Sequence, residues 1–284
     1  MKRFASHVAA AGAVAVVAVS VLAGGVATAT TAASSSLPTL TLALNGKSVT
    51  VGGRTVSGAV NVVTTVTGEK QGGPVLIRLN PGVSFAAFAQ ATAAIRAHHG
   101  DLNYLNPFGS VVFSTPAGRG TSSAQTVLQP GNYFALDTGK SGGKPPHAAF
   151  TVIQSVSPAT LPTPGATVSM IEFSFGGPRT LHHGELVRSV NAGFLVHMDV
   201  FGQVKNLAAA RKVVALLRAG KDNAAGRLFI GAGGTFAGPV SSGSVQQEVV
   251  TAKPGIYVQA CFMNTQDGRE HTRLGMERIF RITK

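Results

Sequence analysis

Three residues near the C-terminus have the types and order of metal donors: Cys261, then nine residues to His271, then four residues to Met276. Cys261 is the sole cysteine of the 284 residues, so no intramolecular disulfide accounts for it. In an oxidising compartment a free thiol is a liability unless it is buried or occupied. Taken singly, Cys261 reads better as a small core residue and Met276 as a filler of an irregular gap. The order of the three, and what the fold sets beside them, decides between the two readings.

The compartment is suggested at the other end of the chain. Lys2 and Arg3 precede an apolar, small-residue run from Val8 to Val26, and Ala27-Thr28-Ala29 has the small-x-small form of a signal-peptidase site. Residues 1–29 are expected to be a signal peptide, and the mature chain to be secreted, soluble and without a stable membrane anchor. Without Lys2 and Arg3 the formal net charge falls from +13 to +11. That charge is spread over both halves with no basic run and no interleaved aromatics. Nucleic-acid binding is therefore not expected, whereas attraction to anionic cell-envelope polymers is.

The elements that must position the donors are β-strands. The chain has 35 Gly, 14 Pro and no Trp, with charged residues at only 12%, a composition suited to turn-rich β structure. Apolar runs at Val60 to Val66, Val111 to Ser114, Glu185 to Val190 and Ile256 to Cys261 are bounded by Gly, Pro and Asn turns. The chain also matches itself. Leu76 to Gly100 lies on Val196 to Gly220 at an offset of 120, and Pro130-Gly131-Asn132-Tyr133 lies on Pro254-Gly255-Ile256-Tyr257 at an offset of 124.

Two homologous all-β domains follow, at 36–155 and 167–284, joined by a stiff Pro-rich linker at 156–166. Each is expected to be an antiparallel Greek-key sandwich with one inserted helix. The helices are predicted at Phe85 to His98, capped by Ser84, and at Leu207 to Ala219, capped by Asn206, with Gly100 and Gly220 ending them.

The last strand and loop of the second repeat resemble the cupredoxins. That family ends its ligand strand in Gly-x-Tyr-x-x-x-Cys, met here by Gly255-Ile-Tyr257-Val-Gln-Ala-Cys261, and follows it with a His and a Met on one loop. The four-residue gap from His271 to Met276 is plastocyanin-like, while the nine-residue gap from Cys261 to His271 is close to that of copper nitrite reductases. The resemblance implies a further ligand histidine after an Asn-x-Gly turn, met by His197 in Asn191-Ala-Gly193-Phe-Leu-Val-His197. It thus implies one copper per chain held by His197, Cys261, His271 and Met276, and a redox protein as partner. A thiolate and two imidazoles make a trigonal copper site, and a thioether supplies the weak axial contact that tunes its potential.

In the first repeat Ile77 stands where His197 does and Asp137 where Cys261 does. No Met follows His147, so that copy is degenerate. His98-His99 and His182-His183 are adjacent pairs rather than the His-x-His elements that multicopper oxidases need. No Gly-x-Ser-x-Gly, His-Glu-x-x-His or phosphate-binding glycine loop occurs. An electron carrier is expected rather than an enzyme, a copper redox enzyme being the remaining catalytic option. The alternative is a metal-free extracellular binding or structural module.

Overall fold

Alternation sets the strands. Thr39–Leu44 (β1) buries Leu40, Leu42 and Leu44 and turns Thr41 and Ala43 outward, the period-two pattern of a strand with one face on a core. The computed structural model describes residues 36–139, 145–231 and 233–284, so the predicted signal peptide lies outside the described residues. After β1 the first half runs through β2 (Val49–Gly53), β3 (Gly58–Gly72), β4 (Pro74–Leu79), helix α1 (Phe88–Ala97), a 3-10 turn (Leu102–Leu105), β5 (Gly109–Ser114), β6 (Ala117–Leu128), β7 (Gly131–Asp137) and β8 (His147–Val152). The second half runs through β9 (Ala166–Ile171), β10 (Ser174–Gly176), β11 (Thr180–His182), β12 (Leu186–Asn191), β13 (His197–Val204), helices α2 (Leu207–Arg218) and α3 (Asp222–Gly226), β14 (Gly234–Val240), β15 (Val245–Val249), β16 (Gly255–Ala260), a 3-10 turn (His271–Leu274) and β17 (Glu277–Thr283).

The strands make three sheets, in the orders β10-β9-β12-β15-β6-β3-β1-β2, β11-β17-β16-β13-β14 and β5-β4-β7-β8. The first departs from the expectation of two separate sandwiches, because it runs through both halves. Gln246 and Gln247 of β15 pair with Thr126 and Gln125 of β6. The opposite layer is tied as well: Ser241 N–H donates to the Val111 carbonyl at 2.8 Å, and Val111 N–H donates to Ser241 Oγ at 3.0 Å. Joining the halves this way leaves fewer unpaired strand edges.

The expected linker is also more than a spacer. Ala59 N–H donates to the Ala159 carbonyl, and the Pro162 carbonyl accepts from Arg188 and Gln247, so this segment lies hydrogen-bonded along the structure. The strands are not purely antiparallel either, since β1 with β3, β9 with β12 and β11 with β17 pair in parallel.

Helix α2 begins where predicted, with the Asn206 side chain accepting from Ala209 N–H at 2.9 Å. Helix α1 begins three residues later than predicted. Ser84 Oγ does accept from Ala87 N–H at 3.2 Å, but that contact closes a turn ahead of the helix rather than its first turn. The second half also holds a further short helix, α3.

The Gly-x-Tyr pattern has the same structural cause in both halves. Tyr133 Oη donates to the Gln129 carbonyl at 2.8 Å, and Tyr257 Oη to the Lys253 carbonyl at 2.7 Å, each tying the entry of its strand to the turn four residues back. Tyr257→Phe is expected to lower stability by about 1 kcal/mol without loss of fold, measured by denaturant unfolding. An unchanged midpoint would deny the bond that role.

Candidate metal centre

Strand β16 delivers Cys261 at its end, one residue past Ala260, and β13 delivers His197 at its beginning. The two strands are neighbours, with Val200 opposite Ala260. His271 opens the 3-10 turn that leads into β17. The long Cys261-to-His271 interval does not separate the donors, because it folds back on itself. Asn264 bridges Glu270, and Thr265 N–H donates to the Arg269 carbonyl at 2.8 Å. Gly275, at φ 102°, takes the left-handed conformation that returns the chain, so that Met276 N–H reaches the His271 carbonyl at 3.0 Å and Cys261 N–H the Met276 carbonyl at 3.1 Å.

His197, Cys261 and His271 come together and are fully buried. The two Nδ1 atoms lie 3.2 Å apart, and Cys261 Sγ lies 3.4 Å from His271 Nδ1 and 3.8 Å from His197 Nδ1. The point equidistant from three atoms so spaced is about 2 Å from each, close to metal–imidazole bond lengths of ~2.0–2.1 Å and somewhat short of metal–thiolate lengths of ~2.3 Å. The donor set and its convergence fit a small thiophilic ion such as copper. Met276 is buried in the same apolar cluster as Cys261.

Burial keeps the three groups uncharged without an ion. It pushes the Cys261 thiol up to about 12 and His271 down to about 4, with His197 adding to the latter, and it also lowers His197 against the raising influence of Glu172. Both imidazoles are neutral, so neither has to lose a net charge to bind, whereas the thiol must release a proton. Met198 N–H points at Cys261 Sγ at 3.3 Å, a donor suited to the sulfur charge that binding creates.

The surrounding wall comes from both halves. From the second, Phe173 stands edge-on to His271 with ring centroids 5.2 Å apart. From the first, Ile77, Leu79, Leu105, Val111 and Phe134 join the apolar cluster that contains Cys261 and Met276. Asn103, in the 3-10 turn after α1, accepts through Oδ1 from the buried Val196 N–H at 2.8 Å, next to His197, and Asn264 Nδ2 donates to the His99 carbonyl at 3.1 Å. Asn103→Ala strands the Val196 N–H and is expected to cost ~1–3 kcal/mol in thermal unfolding. A variant as stable as the parent would show that this cross-half contact contributes nothing.

In the first half Ile77 is buried, Asp137 accepts from the N–H groups of Gly73 and Gly139, and His147 is exposed on β8. His98 stacks on Tyr104 at 3.7 Å, while His182 and His183 hydrogen-bond to Thr283 and to the Ala252 carbonyl. Among the described residues none of these joins a donor cluster. Sequence reasoning missed Glu172, Phe173, Asn103 and Met198. Apart from Gly193, which permits the approach of Glu172, no local pattern marks them.

No protein-family model matches the chain, and no curated protein matches it. Among solved structures it is similar to auracyanin B, with 18% identity over 44% of this chain and 94% of that one at a TM-score of 0.27. It is similar to reduced auracyanin from the photosynthetic bacterium Roseiflexus castenholzii, with 15% identity over 42% of this chain and 95% of that one at a TM-score of 0.27. It is also similar to a copper-containing nitrite reductase from Thermus scotoductus, with 11% identity over 87% of this chain and 68% of that one at a TM-score of 0.25. No helix among the described residues is long and apolar enough to cross a membrane.

Proposed function

We propose that this protein is a secreted copper-binding protein that carries single electrons, with His197, Cys261 and His271 as the principal donors and Met276 as the axial one. The observation that carries the reading is the convergence of two imidazole Nδ1 atoms and one thiol on a common buried point. Copper bound there supplies one-electron chemistry. The chain's own contribution is rigidity. The donors come from a strand start, a strand end and a 3-10 turn locked to one another by backbone hydrogen bonds, so the protein holds one geometry while charge at the site changes.

Four protein donors leave no position for a substrate, which favours a carrier over an enzyme. An exposed apolar edge lies beside the His197 loop, where Phe194 is 86% and Ile171 45% exposed. A redox protein partner would dock there. The diffuse positive charge favours weak association with anionic envelope polymers. The first half, read as a degenerate repeat, serves as a fixed cover for the site.

Voltammetry of the copper-loaded protein tests this reading. One reversible one-electron couple is expected, and Met276→Leu should keep the colour while raising the potential, since the oxidised ion loses a donor. Failure to take up copper at all would favour a metal-free extracellular module that presents its loops to an envelope partner.

A further inference from the structure

The turn between β9 and β10 places two side chains on the donor histidines. Phe173 meets His271, and Glu172 Oε1 lies 3.6 Å from His197 Nε2. The Glu172 carboxylate is itself fixed by the N–H groups of Phe194 and of Leu195, the latter at 3.0 Å, in the loop that leads to His197. Gly193 makes room for it, because a Cβ there would clash with Glu172 Oε1. Phe173 sits at φ 59°, a left-handed conformation that bulky residues rarely adopt and that persists only where the surroundings impose it.

For His197 to donate through Nδ1 its proton must sit on Nε2, and that buried nitrogen has no partner at hydrogen-bond distance among the described residues. The Glu172 carboxylate, 3.6 Å away, is aimed at it. We propose that Glu172 is the positioning residue of the metal centre: the β9–β10 turn holds its carboxylate against His197 Nε2–H, fixing the tautomer and ring orientation that free Nδ1 for the metal. This rests on the copper reading above. In the metal-free protein the same arrangement leaves His197 Nδ1 as acceptor and His271 Nδ1–H as its donor across their 3.2 Å contact. A carboxylate so placed also raises ligand basicity, and loss of such a partner typically weakens metal affinity about 10- to 100-fold.

The test compares wild type, Glu172→Ala, Glu172→Gln and Gly193→Ala in two measurements: nitrogen-15 NMR of the His197 ring in the metal-free protein, and Cu(II) affinity by competition titration. In wild type the His197 proton is expected on Nε2. Glu172→Ala should shift it toward Nδ1 and weaken Cu(II) binding about 10- to 100-fold. Glu172→Gln, which keeps an oxygen acceptor, should restore the tautomer and part of the affinity, and Gly193→Ala should behave as a milder Glu172→Ala. An unchanged tautomer and unchanged affinity in Glu172→Ala would overturn the proposal, and so would a His197 proton on Nδ1 in wild type. If wild type binds no copper, the functional reading fails separately, and the NMR arm still decides the role of Glu172.

Discussion

Replacing Cys261 with Ser is expected to abolish the intense visible band of the copper-loaded protein while leaving a folded chain. The band requires a thiolate bound to the metal, and Cys261 is the one thiol the chain has. The two histidines remain in Cys261→Ser, so residual weak binding without colour is the predicted outcome. A hydroxyl in this pocket lies beside His271 Nδ1–H, which can donate to it, and close to His197 Nδ1, so the stability cost should stay near ~1 kcal/mol. Circular dichroism and unfolding of the metal-free variant separate loss of the ligand from loss of the fold. A band of undiminished intensity in Cys261→Ser would remove the thiolate from the site.

The second large effect lies away from the donors. Glu248→Gln is expected to stabilise the protein by a few kcal/mol at pH 9 while leaving it close to wild type at pH 4. Glu248 on β15 is half-buried and borders a cavity of about 60 Å³ walled by apolar side chains such as Val62 and Phe113 and by the hydroxyls of Thr64, Ser122 and Ser123; desolvation there, reinforced by Asp199, pushes its carboxyl up to about 8. The folded state therefore holds a proton that the unfolded state has lost between pH 4.5 and 8. Its stabilising contribution is fully present below pH 4.5 and is lost as pH rises through 8, at about 1.4 kcal/mol per pH unit within that window.

His197 and His271 act in the opposite sense, because burial lowers both and charging them destabilises the fold as pH falls below their ordinary value of 6.5. Comparing wild type with Glu248→Gln from pH 6.5 to 9 isolates the glutamate. Denaturant midpoints that run parallel over that range would contradict a Glu248 that stays protonated in the folded state.

The convergence of His197, Cys261 and His271, with Met276 in the same apolar cluster as Cys261, was legible because each residue is carried by a local pattern. The Gly-x-Tyr strand ends in Cys261, the loop places His271 and Met276, and the Asn-x-Gly turn precedes His197. The strands followed from alternation and the helix α2 cap from Asn206. What the sequence did not reveal are contacts between residues far apart along the chain. Glu172 reaches the Phe194 and Leu195 N–H groups from 22 and 23 residues away, and Asn103 reaches Val196 from 93 residues away. The shared eight-stranded sheet was hidden for the same reason. Each half reads as a sandwich on its own, and pairing of β6 with β15 depends on which strands end as edges, which no periodicity records. Helix α1 began late because its turn chemistry and its helical register compete over Ser84 to Ala87.

The central claim is that His197, Cys261 and His271 bind one copper ion. The most direct measurement is a visible absorption titration of the protein, expressed without residues 1–29, with Cu(II) at neutral pH. The account predicts an intense blue or green band that saturates at one copper per chain and is lost in Cys261→Ser. A titration that leaves the protein colourless, with no copper retained after desalting, would contradict it.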